Sequence, residues 1–365
     1  MKRVLQVYDS ISISSGISTV IMSWYRNIDK TNITMDVLCC WNRKPSYENE
    51  IYKYGSKVFY IENEDKIKNY FIFIKKVKYF MKNQAKNYDI IHLHSAIFAY
   101  PILYYAKKYG VAERIVHVHS SSLGNTRFSK YRNLICLIPM KHLANHYWAC
   151  SYDAAKVWYE KLNINKYTIM LNGINVRDFH KNINARSYYR KLWNVSDDEI
   201  LLGHISNMSP IKNVPFILKI LNMMIKKKYK VKLALIGKDV LPGNVQKLIN
   251  ELGLEDVVIN VGVSNEINKC IQAIDVGIMP SISEGYGLVP IEFQAAQIPV
   301  LLSNGFPNVV IATEYAIQLD LNVNIWVDNI IDCMQHGNMI NIEEKMKLYD
   351  LDFIVDKVAK LYESY

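Results

Sequence analysis

The chain has 365 residues, of which 50% are hydrophobic and 21% are charged, and its formal net charge is +10. A chain of this length usually needs more than one hydrophobic core, so two domains are expected, and the composition excludes a disordered protein. The positive charge is compatible with nucleic acid, an anionic membrane face or a phosphorylated ligand as a partner. Because the sequence has no RNP, KH or zinc-knuckle pattern, we expect no nucleic-acid partner.

The cysteines and the apolar runs of the chain bear on its compartment. None of the six cysteines forms a Cys-x-x-Cys pair, so we interpret them as structural thiols of a reducing environment. The apolar run after Met1-Lys2-Arg3 is too short for a signal peptide. No stretch reaches the roughly 18–20 apolar residues of a membrane span. The sequence therefore predicts a cytoplasmic protein.

Short apolar runs alternate with helical patterns along the whole chain, which predicts βαβ units and parallel sheets of the α/β class. The predicted strands of the first half are Val4–Tyr8, Met35–Cys40, Lys57–Ile61, Asp89–His94, Arg114–His119 and Thr168–Leu171. Those of the second half are Ile200–Ile205, Val231–Ile236, Val257–Val261, Val276–Met279 and Pro299–Leu302. We predict two doubly wound, Rossmann-like domains facing across a cleft, residues 1–176 and 177–347, with a polar junction near Val176–Glu199. A C-terminal helix, residues 348–365, follows with Asp352 as its N-cap.

A glycine-containing loop follows a strand of the second predicted domain. Gly285 and Gly287 permit a tight turn that brings backbone N–H groups close to a ligand, and Pro290 suits the first turn of a helix. A helix N-terminus after such a loop favours anions. Glu284 and Glu292 flank the loop, and carboxylates accept paired hydrogen bonds from sugar hydroxyls. Two glutamates that only stabilise helix ends would not explain this spacing.

This segment resembles the family 4 retaining glycosyltransferases of GT-B fold, particularly those of capsular and exopolysaccharide biosynthesis. The resemblance extends over nearly the whole chain. The matching residues are Glu284, Glu292, Ala295, Ala296, Pro299 and Val300, with Asn172–Asn175, Leu233–Gly237, Leu252–Asp256, Tyr349–Phe353 and Lys360–Tyr362 elsewhere. The resemblance implies that the last helix crosses back onto the first domain and that Glu292 holds the ribose hydroxyls. It further implies that Glu284 and the amides of Gly285, Tyr286, Gly287 and Leu288 hold the donor sugar.

The loop after Ile200–Ile205 departs from the family at the diphosphate clamp. The family pattern is Gly-Arg-x-x-x-x-Lys-Asn; Lys212 and its following Asn match, whereas Ser206 and Asn207 replace Gly-Arg. Arg offers phosphate a charged planar fork, and Asn offers a neutral amide. By hypothesis, Lys238 supplies the positive charge of the missing clamp Arg. Two interpretations remain, a rearranged clamp or a weakened donor site.

The first domain adds two candidate positions. Gly16 lies in a small-residue loop where relatives carry Gly-Gly, and this loop is either a close approach to the donor or acceptor or a serine-capped helix start. The family has a His facing the donor sugar at the place of His119. Alternation along the strand points His117 in the same direction, but we interpret His117, His92 and His94 as packed structural residues.

The resemblance implies transfer of a sugar from a nucleoside diphosphate sugar, with a UDP-sugar as the expected donor, and retention of configuration. The candidate catalytic residues are Glu284, Lys212 and His119, and the candidate donor-binding residues are Glu292, Gly285, Tyr286, Gly287, Leu288, Asn207, Lys238 and Gly16. No metal or other cofactor is implied, and Asp350-Leu351-Asp352 is interpreted as helix capping. The expected acceptor is a polyprenyl-diphosphate-linked oligosaccharide or a similar glycan. The alternative is a catalytically weakened homologue that serves as a partner subunit, which Asn207, Gly16 and Gln297 (usually Gly) favour.

Two basic segments are candidates for peripheral association with the inner face of the cell membrane, Lys66–Lys82 and Arg127–Lys141. In the first, apolar residues recur at helical spacing, while Lys68, Lys75 and Lys82 lie on another face. Such an amphipathic helix can lie on anionic lipid. A helix packed on a sheet with a solvated lysine face explains the pattern equally well.

Overall fold

The computed structural model describes residues 1–13, 15–120, 122–124, 127–240, 243–335 and 342–365, with side chains for all of these except residues 127–129 and 136. Its contacts divide the chain into two compact units. The first unit is Met1–Gly173 together with Leu351–Tyr365, and the second unit is Ile174–Asp350. These boundaries lie within a few residues of the positions 176 and 347 expected from sequence.

The first unit contains a seven-stranded sheet in which every pairing is parallel. Its strands are β1 Lys2–Tyr8, β2 Ile33–Trp41, β3 Val58–Glu62, β4 Ile90–Leu93, β5 Glu113–Val118, β6 His146–Ala149 and β7 Thr168–Ile169. The helices are α1 Gly16–Asn27, α2 Glu48–Lys53, α3 Tyr70–Gln84, α4 Ala99–Lys108, α5 Arg127–Leu137, α6 Met140–Leu143 and α7 Tyr152–Trp158. The strand order is β3-β2-β1-β4-β5-β6-β7, so the chain reverses direction across the sheet between β1 and β4.

The second unit contains a six-stranded parallel sheet. Its strands are β8 Ile200–Ile205, β9 Val231–Ile236, β10 Val258–Gly262, β11 Val276–Met279, β12 Val300–Ser303 and β13 Ala316–Leu319. The helices are α8 Ile183–Leu192, α9 Val214–Lys226, α10 Asn244–Glu251, α11 Ile267–Cys270, α12 Val289–Ala295, α13 Val323–Gln335 and α14 Glu343–Met346. The order β10-β9-β8-β11-β12-β13 reverses between β8 and β11, where open α/β sheets bind ligands.

The polar stretch expected to be a junction is folded. It contains α8, whose Arg190 is buried and donates to Asp275 at 3.0 Å and to the carbonyl of Glu199 at 2.8 Å. Buried guanidinium groups need such partners, because an unpaired charge in the interior is costly. The polarity of this stretch therefore reflects helix docking within the second unit.

The C-terminal helix, α15 Leu351–Ser364, belongs to the first unit. It buries Ile354, Val358 and Tyr362 in the core that also contains Trp24 of α1. Asp352 was expected to be its N-cap, but the helix begins one residue earlier, at Leu351. Asp352 thus lies in the first helical turn, where its carboxylate interacts favourably with the helix dipole.

Helix α3 buries one apolar face within the first unit, as the second interpretation of the Lys66–Lys82 segment expects. Val77 and Met81 are fully buried, and so is Phe73. The most exposed apolar side chains of the helix are Phe71, which is 78% exposed, and Tyr79, which is 74% exposed. Within the described residues, no helix is both long and apolar enough to span a bilayer.

Gln297 provides a first testable prediction. It has φ +58° in the turn that ends α12, where Ile298 N–H donates to the Phe293 carbonyl at 3.0 Å. This pattern is a Schellman motif, and its left-handed position favours Gly. Because a side chain with a Cβ is strained there, Gln297→Gly should raise the free energy of unfolding by about 1 kcal/mol.

Chemical denaturation of the second unit measures this difference. The control is Gln246→Gly, on the exposed side of α10, which should lower the free energy of unfolding by about 1 kcal/mol. A loss of stability in both variants would contradict the interpretation of Gln297.

Candidate active site

Two loops meet at the carboxyl ends of β8 and β11 in the second unit. Ile282 N–H donates to the Ile211 carbonyl at 2.8 Å, and the Asn213 side-chain amide donates to the Pro280 carbonyl at 3.3 Å. Asn213 has φ +57°, a conformation that Asn tolerates better than most residues. The loops that carry Lys212 and Glu284 are therefore joined by one backbone–backbone and one side chain–backbone hydrogen bond.

Lys212 and Glu284 form an ion pair, with Nζ 2.5 Å from Oε1. Their side chains are 21% and 12% exposed, so the pair is partly shielded from water. The backbone N–H of Glu284 donates to the Gly305 carbonyl at 2.8 Å, which attaches its loop to the segment after β12. The ion pair places the ammonium and the carboxylate at one point of the crevice.

Glu292 lies in α12, and burial raises the pKa of its carboxyl to about 7. Within the described part of the chain, the Glu292 carboxylate has no hydrogen-bond or ion-pair partner. A desolvated carboxylate without a partner destabilises a fold, and such groups concentrate at binding and catalytic sites. Glu292 is therefore the strongest single indication of a ligand site in the second unit.

The glycine loop between the two glutamates is constrained by packing. Gly287 has φ +88°, and a Cβ at this position would lie 2.7 Å from the Phe306 ring. Tyr286 is only 4% exposed, so its side chain faces the protein interior. Pro290 lies in the first turn of α12, as expected from sequence. The loop consequently offers a ligand its backbone more readily than its side chains.

His204 holds the loop after β8 and was missed from sequence. Its Nδ1 lies 2.8 Å from the Ile278 carbonyl and must donate to it, so Nε2 accepts from the Ser206 hydroxyl at 2.7 Å. Burial lowers the pKa of His204 to about 4, with a smaller lowering from the Lys212 charge. Gly237 packs against the Ser206 carbonyl so closely that any Cβ would clash. In the sequence, the signal for this close packing of the two loops was the glycine at position 237, directly after β9.

Asn207 and Lys238 lie on neighbouring segments of the same unit. Met208 N–H donates to the Lys238 carbonyl at 2.8 Å, so the loop after β8 runs beside the loop after β9. Both side chains are exposed. A cationic side chain therefore emerges next to the position where the family clamp carries Arg.

The loop after β1 in the first unit ends as a capped helix. The Ser15 hydroxyl accepts from Ser18 N–H at 3.4 Å, and α1 begins at Gly16. This geometry corresponds to the serine-capped helix start, one of the two interpretations of the loop from sequence. A Cβ at Gly16 would have no neighbouring atom within 4 Å, so the missing side chain leaves open space. Ser14, also part of the motif, lies outside the described residues.

His119 directly follows β5 and belongs to a stack of four histidines. Its ring lies 4.0 Å from that of His117 and 5.1 Å from that of His94, measured between centroids, so the predicted common direction of His117 and His119 is found. Burial lowers the pKa of His119 to about 3, and it lowers those of His92, His94 and His117 well below their usual value. All four rings are therefore neutral at physiological pH.

Three of these rings have the spacing of a candidate metal site. One ring nitrogen from each of His92, His94 and His117 lies within 4.8 Å of the others. However, Nδ1 of His94 lies 2.9 Å from His119 Nε2, and Nε2 of His94 lies 2.8 Å from Gln6 Oε1. Because both nitrogens of His94 are engaged in hydrogen bonds, we assign no metal to this cluster.

Sequence comparison identifies the family. Residues 186–336 match the family described as Glycosyl transferases group 1, and residues 14–178 match Glycosyltransferase Family 4. The chain is also 25% identical over 338 residues to EpsF of Bacillus subtilis (strain 168), named as a glycosyltransferase, with 90% of this chain and 87% of EpsF covered. The chain is a glycosyltransferase of GT-B type.

Other relatives agree with this assignment. The O-antigen biosynthesis glycosyltransferase WclY of Escherichia coli is 28% identical over 232 residues, covering 62% of this glycosyltransferase and 60% of WclY. Among solved structures, Anabaena HepE in complex with UDP and glucose superposes with a TM-score of 0.81 at 15% identity, covering 100% of both chains. At such low identity, the likeness to HepE establishes the shared fold only.

The predicted site residues of this glycosyltransferase fall into two groups. The second unit brings Lys212 into contact with Glu284 and places Lys238 beside Asn207. Glu292 follows Glu284 through the glycine loop at the same edge of the sheet. The remaining candidates, Gly16 and His119, follow strands β1 and β5 of the first unit.

Proposed function

We propose that this glycosyltransferase transfers a sugar from a UDP-sugar to a lipid-linked oligosaccharide or similar glycan of a surface polysaccharide, with retention of configuration. The observation that carries the proposal is the unpartnered, partly buried carboxylate of Glu292, at the same sheet edge as the Lys–Glu pair of the β8/β11 crevice. Ribose hydroxyls would supply the hydrogen-bond donors that Glu292 lacks. Support for UDP comes from HepE, which was solved with UDP and glucose.

Lys212 has the charge needed for the departing diphosphate. In the proposed front-face reaction, the bond from the anomeric carbon to the diphosphate oxygen breaks while the acceptor oxygen bonds to the same face. The acceptor proton passes to the leaving phosphate oxygen. Negative charge builds up on that phosphate, where a cation fixed beside it stabilises the transition state. The nearby carboxylate of Glu284 would then be released from Lys212 to accept hydrogen bonds from the sugar.

The retained configuration has independent support among the relatives. A Staphylococcus aureus relative, 26% identical over 142 residues, is named poly(ribitol-phosphate) alpha-N-acetylglucosaminyltransferase. A Bacillus anthracis relative, 25% identical over 233 residues, is named N-acetyl-alpha-D-glucosaminyl L-malate synthase. Products with an alpha linkage are those expected when an alpha-linked nucleotide donor reacts with retention.

Titration calorimetry with UDP, GDP and CMP tests the nucleotide specificity. We expect micromolar binding of UDP and much weaker binding of the other two. Incubation with a panel of UDP-sugars and a polyprenyl-diphosphate-linked acceptor, followed by NMR analysis of the product, then tests the transfer and its stereochemistry. Absence of binding to all three nucleotides would overturn the proposal and would favour a partner-subunit role.

The cation beside Asn207 leads to a separate prediction. If Lys238 supplies the charge that the clamp Arg supplies in relatives, Lys238→Met should lower kcat about tenfold, which corresponds to the loss of one charge-assisted contact. Adding Asn207→Arg to this variant should restore most of the loss. Lys226→Met, at the far end of α9, is the control and should leave kcat unchanged. A wild-type kcat for Lys238→Met would exclude Lys238 from the clamp.

The membrane association proposed for this protein rests on the outer side of α3 and α5. Both helices pack against α4 and expose large apolar side chains, Phe71 and Tyr79 on α3 and Tyr131 and Ile135 on α5. Lys75 and Lys82 are exposed on α3 and have no hydrogen bond or ion pair in the described chain. Aromatic side chains among lysines are suited to the headgroup region of an anionic bilayer.

Charge reversal on α3 tests this surface. Each Lys near an anionic bilayer contributes about 1 kcal/mol, so Lys75→Glu/Lys82→Glu should weaken partitioning into phosphatidylglycerol vesicles by at least roughly thirtyfold. Lys68 is left in place because it pairs with Glu64 at 2.5 Å. The matched control is Lys226→Glu/Lys228→Glu in the second unit, which makes the same change in net charge. Equal vesicle binding by both double variants would contradict the proposed surface.

A further inference from the structure

A continuous line of hydrogen bonds crosses the core of the first unit from His119 to His92. It connects His119 Nε2 with His94 Nδ1 at 2.9 Å, and His94 Nε2 with Gln6 Oε1 at 2.8 Å. It continues from Gln6 Nε2 to the Tyr362 hydroxyl at 2.9 Å, and from that hydroxyl to His92 Nδ1 at 2.5 Å. We call these five residues the histidine relay.

Gln6 fixes the direction of every hydrogen bond in the relay. Its amide nitrogen also faces the Met35 sulfur at 3.3 Å, a weak acceptor, so the amide oxygen must face His94. A carbonyl oxygen only accepts, and therefore His94 carries its proton on Nε2. Because His94 is neutral, its Nδ1 is an acceptor, and His119 must donate to it from Nε2.

The other half of the relay follows from the same amide. Gln6 Nε2 donates to the Tyr362 oxygen, which leaves the Tyr362 hydroxyl proton free to be donated to His92 Nδ1. His94 and His92 are buried, as are Gln6 and Tyr362, so water does not compete for these groups. Aligned hydrogen bonds in a low-dielectric interior polarise and strengthen one another.

We propose that Gln6, His94 and Tyr362 are positioning residues that hold His119 as the Nε2–H tautomer, with Nδ1 bare as a hydrogen-bond acceptor. This inference rests on the proposed function, in which His119 contributes to the sugar site. Asn172 lies beside His119, and its side chain raises the pKa of the ring against the larger lowering by burial. Neither Nδ1 of His119 nor the side-chain oxygen of Asn172 forms a hydrogen bond of regular geometry within the described residues. Two adjacent acceptors select a hydroxyl or an amide N–H as the group that binds between them.

The relay also gives the C-terminal helix a function beyond packing. Tyr362 lies in the last turn of α15, and its ring stacks on Trp148 with centroids 5.9 Å apart. The hydroxyl of Tyr362 is the link through which α15 contacts Gln6. The end of the chain thereby helps to orient a side chain at the carboxyl edge of β5, since the tautomer of one ring is set by the partner of its other nitrogen.

The test is tautomer assignment by NMR on the full chain labelled with ¹⁵N-histidine. In the wild type, long-range ¹H–¹⁵N spectra should show His119 and His94 as single Nε2–H tautomers at neutral pH. Gln6→Met removes the acceptor of His94 and should produce tautomer mixtures at both rings. It should also lower kcat about tenfold while the dissociation constant for UDP stays unchanged.

Two further variants separate positioning from folding. Tyr362→Phe removes one oxygen and should alter the His92 tautomer with little change in the circular dichroism spectrum. Tyr365→Phe, the matched control directly after the same helix, removes a hydroxyl that accepts from Trp148 Nε1 at 3.2 Å outside the relay, and should change no tautomer. An Nδ1–H tautomer of wild-type His119, or unchanged tautomers in Gln6→Met, would overturn the relay. Failure of UDP to bind would instead overturn the proposed function and leave the tautomer result intact.

Discussion

Glu292→Gln should make the protein more stable at pH 8 while it weakens nucleotide binding. Burial raises the pKa of the Glu292 carboxyl to about 7, so the folded state binds this proton more tightly than the unfolded chain does. Between the ordinary carboxyl pKa and about 7, the wild type therefore loses stability as the pH rises. A neutral Gln has no such cost, and we expect a gain of about 1–3 kcal/mol at pH 8 that disappears near pH 4.

Nucleotide binding by the same variant should change in the opposite direction. A carboxylate accepts hydrogen bonds from both ribose hydroxyls, whereas Gln presents one oxygen and an NH₂ group that cannot accept. The affinity for UDP should therefore fall at least about tenfold. In the wild type, UDP affinity should decrease as the pH falls below about 7, because protonation removes an acceptor from Glu292.

Thermal unfolding and calorimetry across pH 5–8 measure both effects. Glu255→Gln is the control, since Glu255 is an exposed carboxylate of the same unit. It should change neither the pH dependence of stability nor the affinity for UDP. Unchanged UDP affinity in Glu292→Gln would rule out the ribose role, and a loss of stability at pH 8 would show that Glu292 has a structural partner in the fold.

Lys212→Met should produce the largest loss of turnover. It removes the cation proposed to stabilise the departing diphosphate and keeps a side chain of similar length. Loss of one such electrostatic contact lowers kcat about 100- to 1000-fold. UDP affinity should fall as well, because the same charge contacts the diphosphate of the product.

A second variant separates this effect from loss of the ion pair. Lys212 is bound to Glu284, so Lys212→Met removes the ammonium partner of a partly buried carboxylate. Glu284→Gln removes the same ion pair but frees the ammonium, and it should bind UDP at least as tightly as the wild type while turning over more slowly. If Glu284→Gln and Lys212→Met weaken UDP binding equally, the ion pair itself holds the site together and Lys212 has no separate role toward phosphate.

The sequence pattern was sufficient for both parallel sheets, because buried parallel strands read as short apolar runs between amphipathic helices. It missed β6 and β13, which are only four residues each and contain His146 and Gln318, so neither forms an apolar run. It also left the environment of Val77 and Met81 of α3 open between a lipid surface and the protein interior, and both side chains are buried. An amphipathic pattern indicates that a helix has an apolar face. It does not indicate whether that face packs against a sheet or lies on a bilayer, because both bury apolar side chains.

The sequence by itself determined the family, the fold and the identity of Lys212, Glu284 and Glu292 as candidate site residues, because their chemistry and spacing are local along the chain. Only the tertiary structure decided which groups touch. Lys212 meets Glu284 across 72 positions of sequence, and Gln6 meets Tyr362 across 356. Such contacts depend on which strand ends are neighbours in a sheet and on where a distant helix packs. The burial that raises the pKa of Glu292 is likewise a property of the packed core around it, which no local pattern encodes.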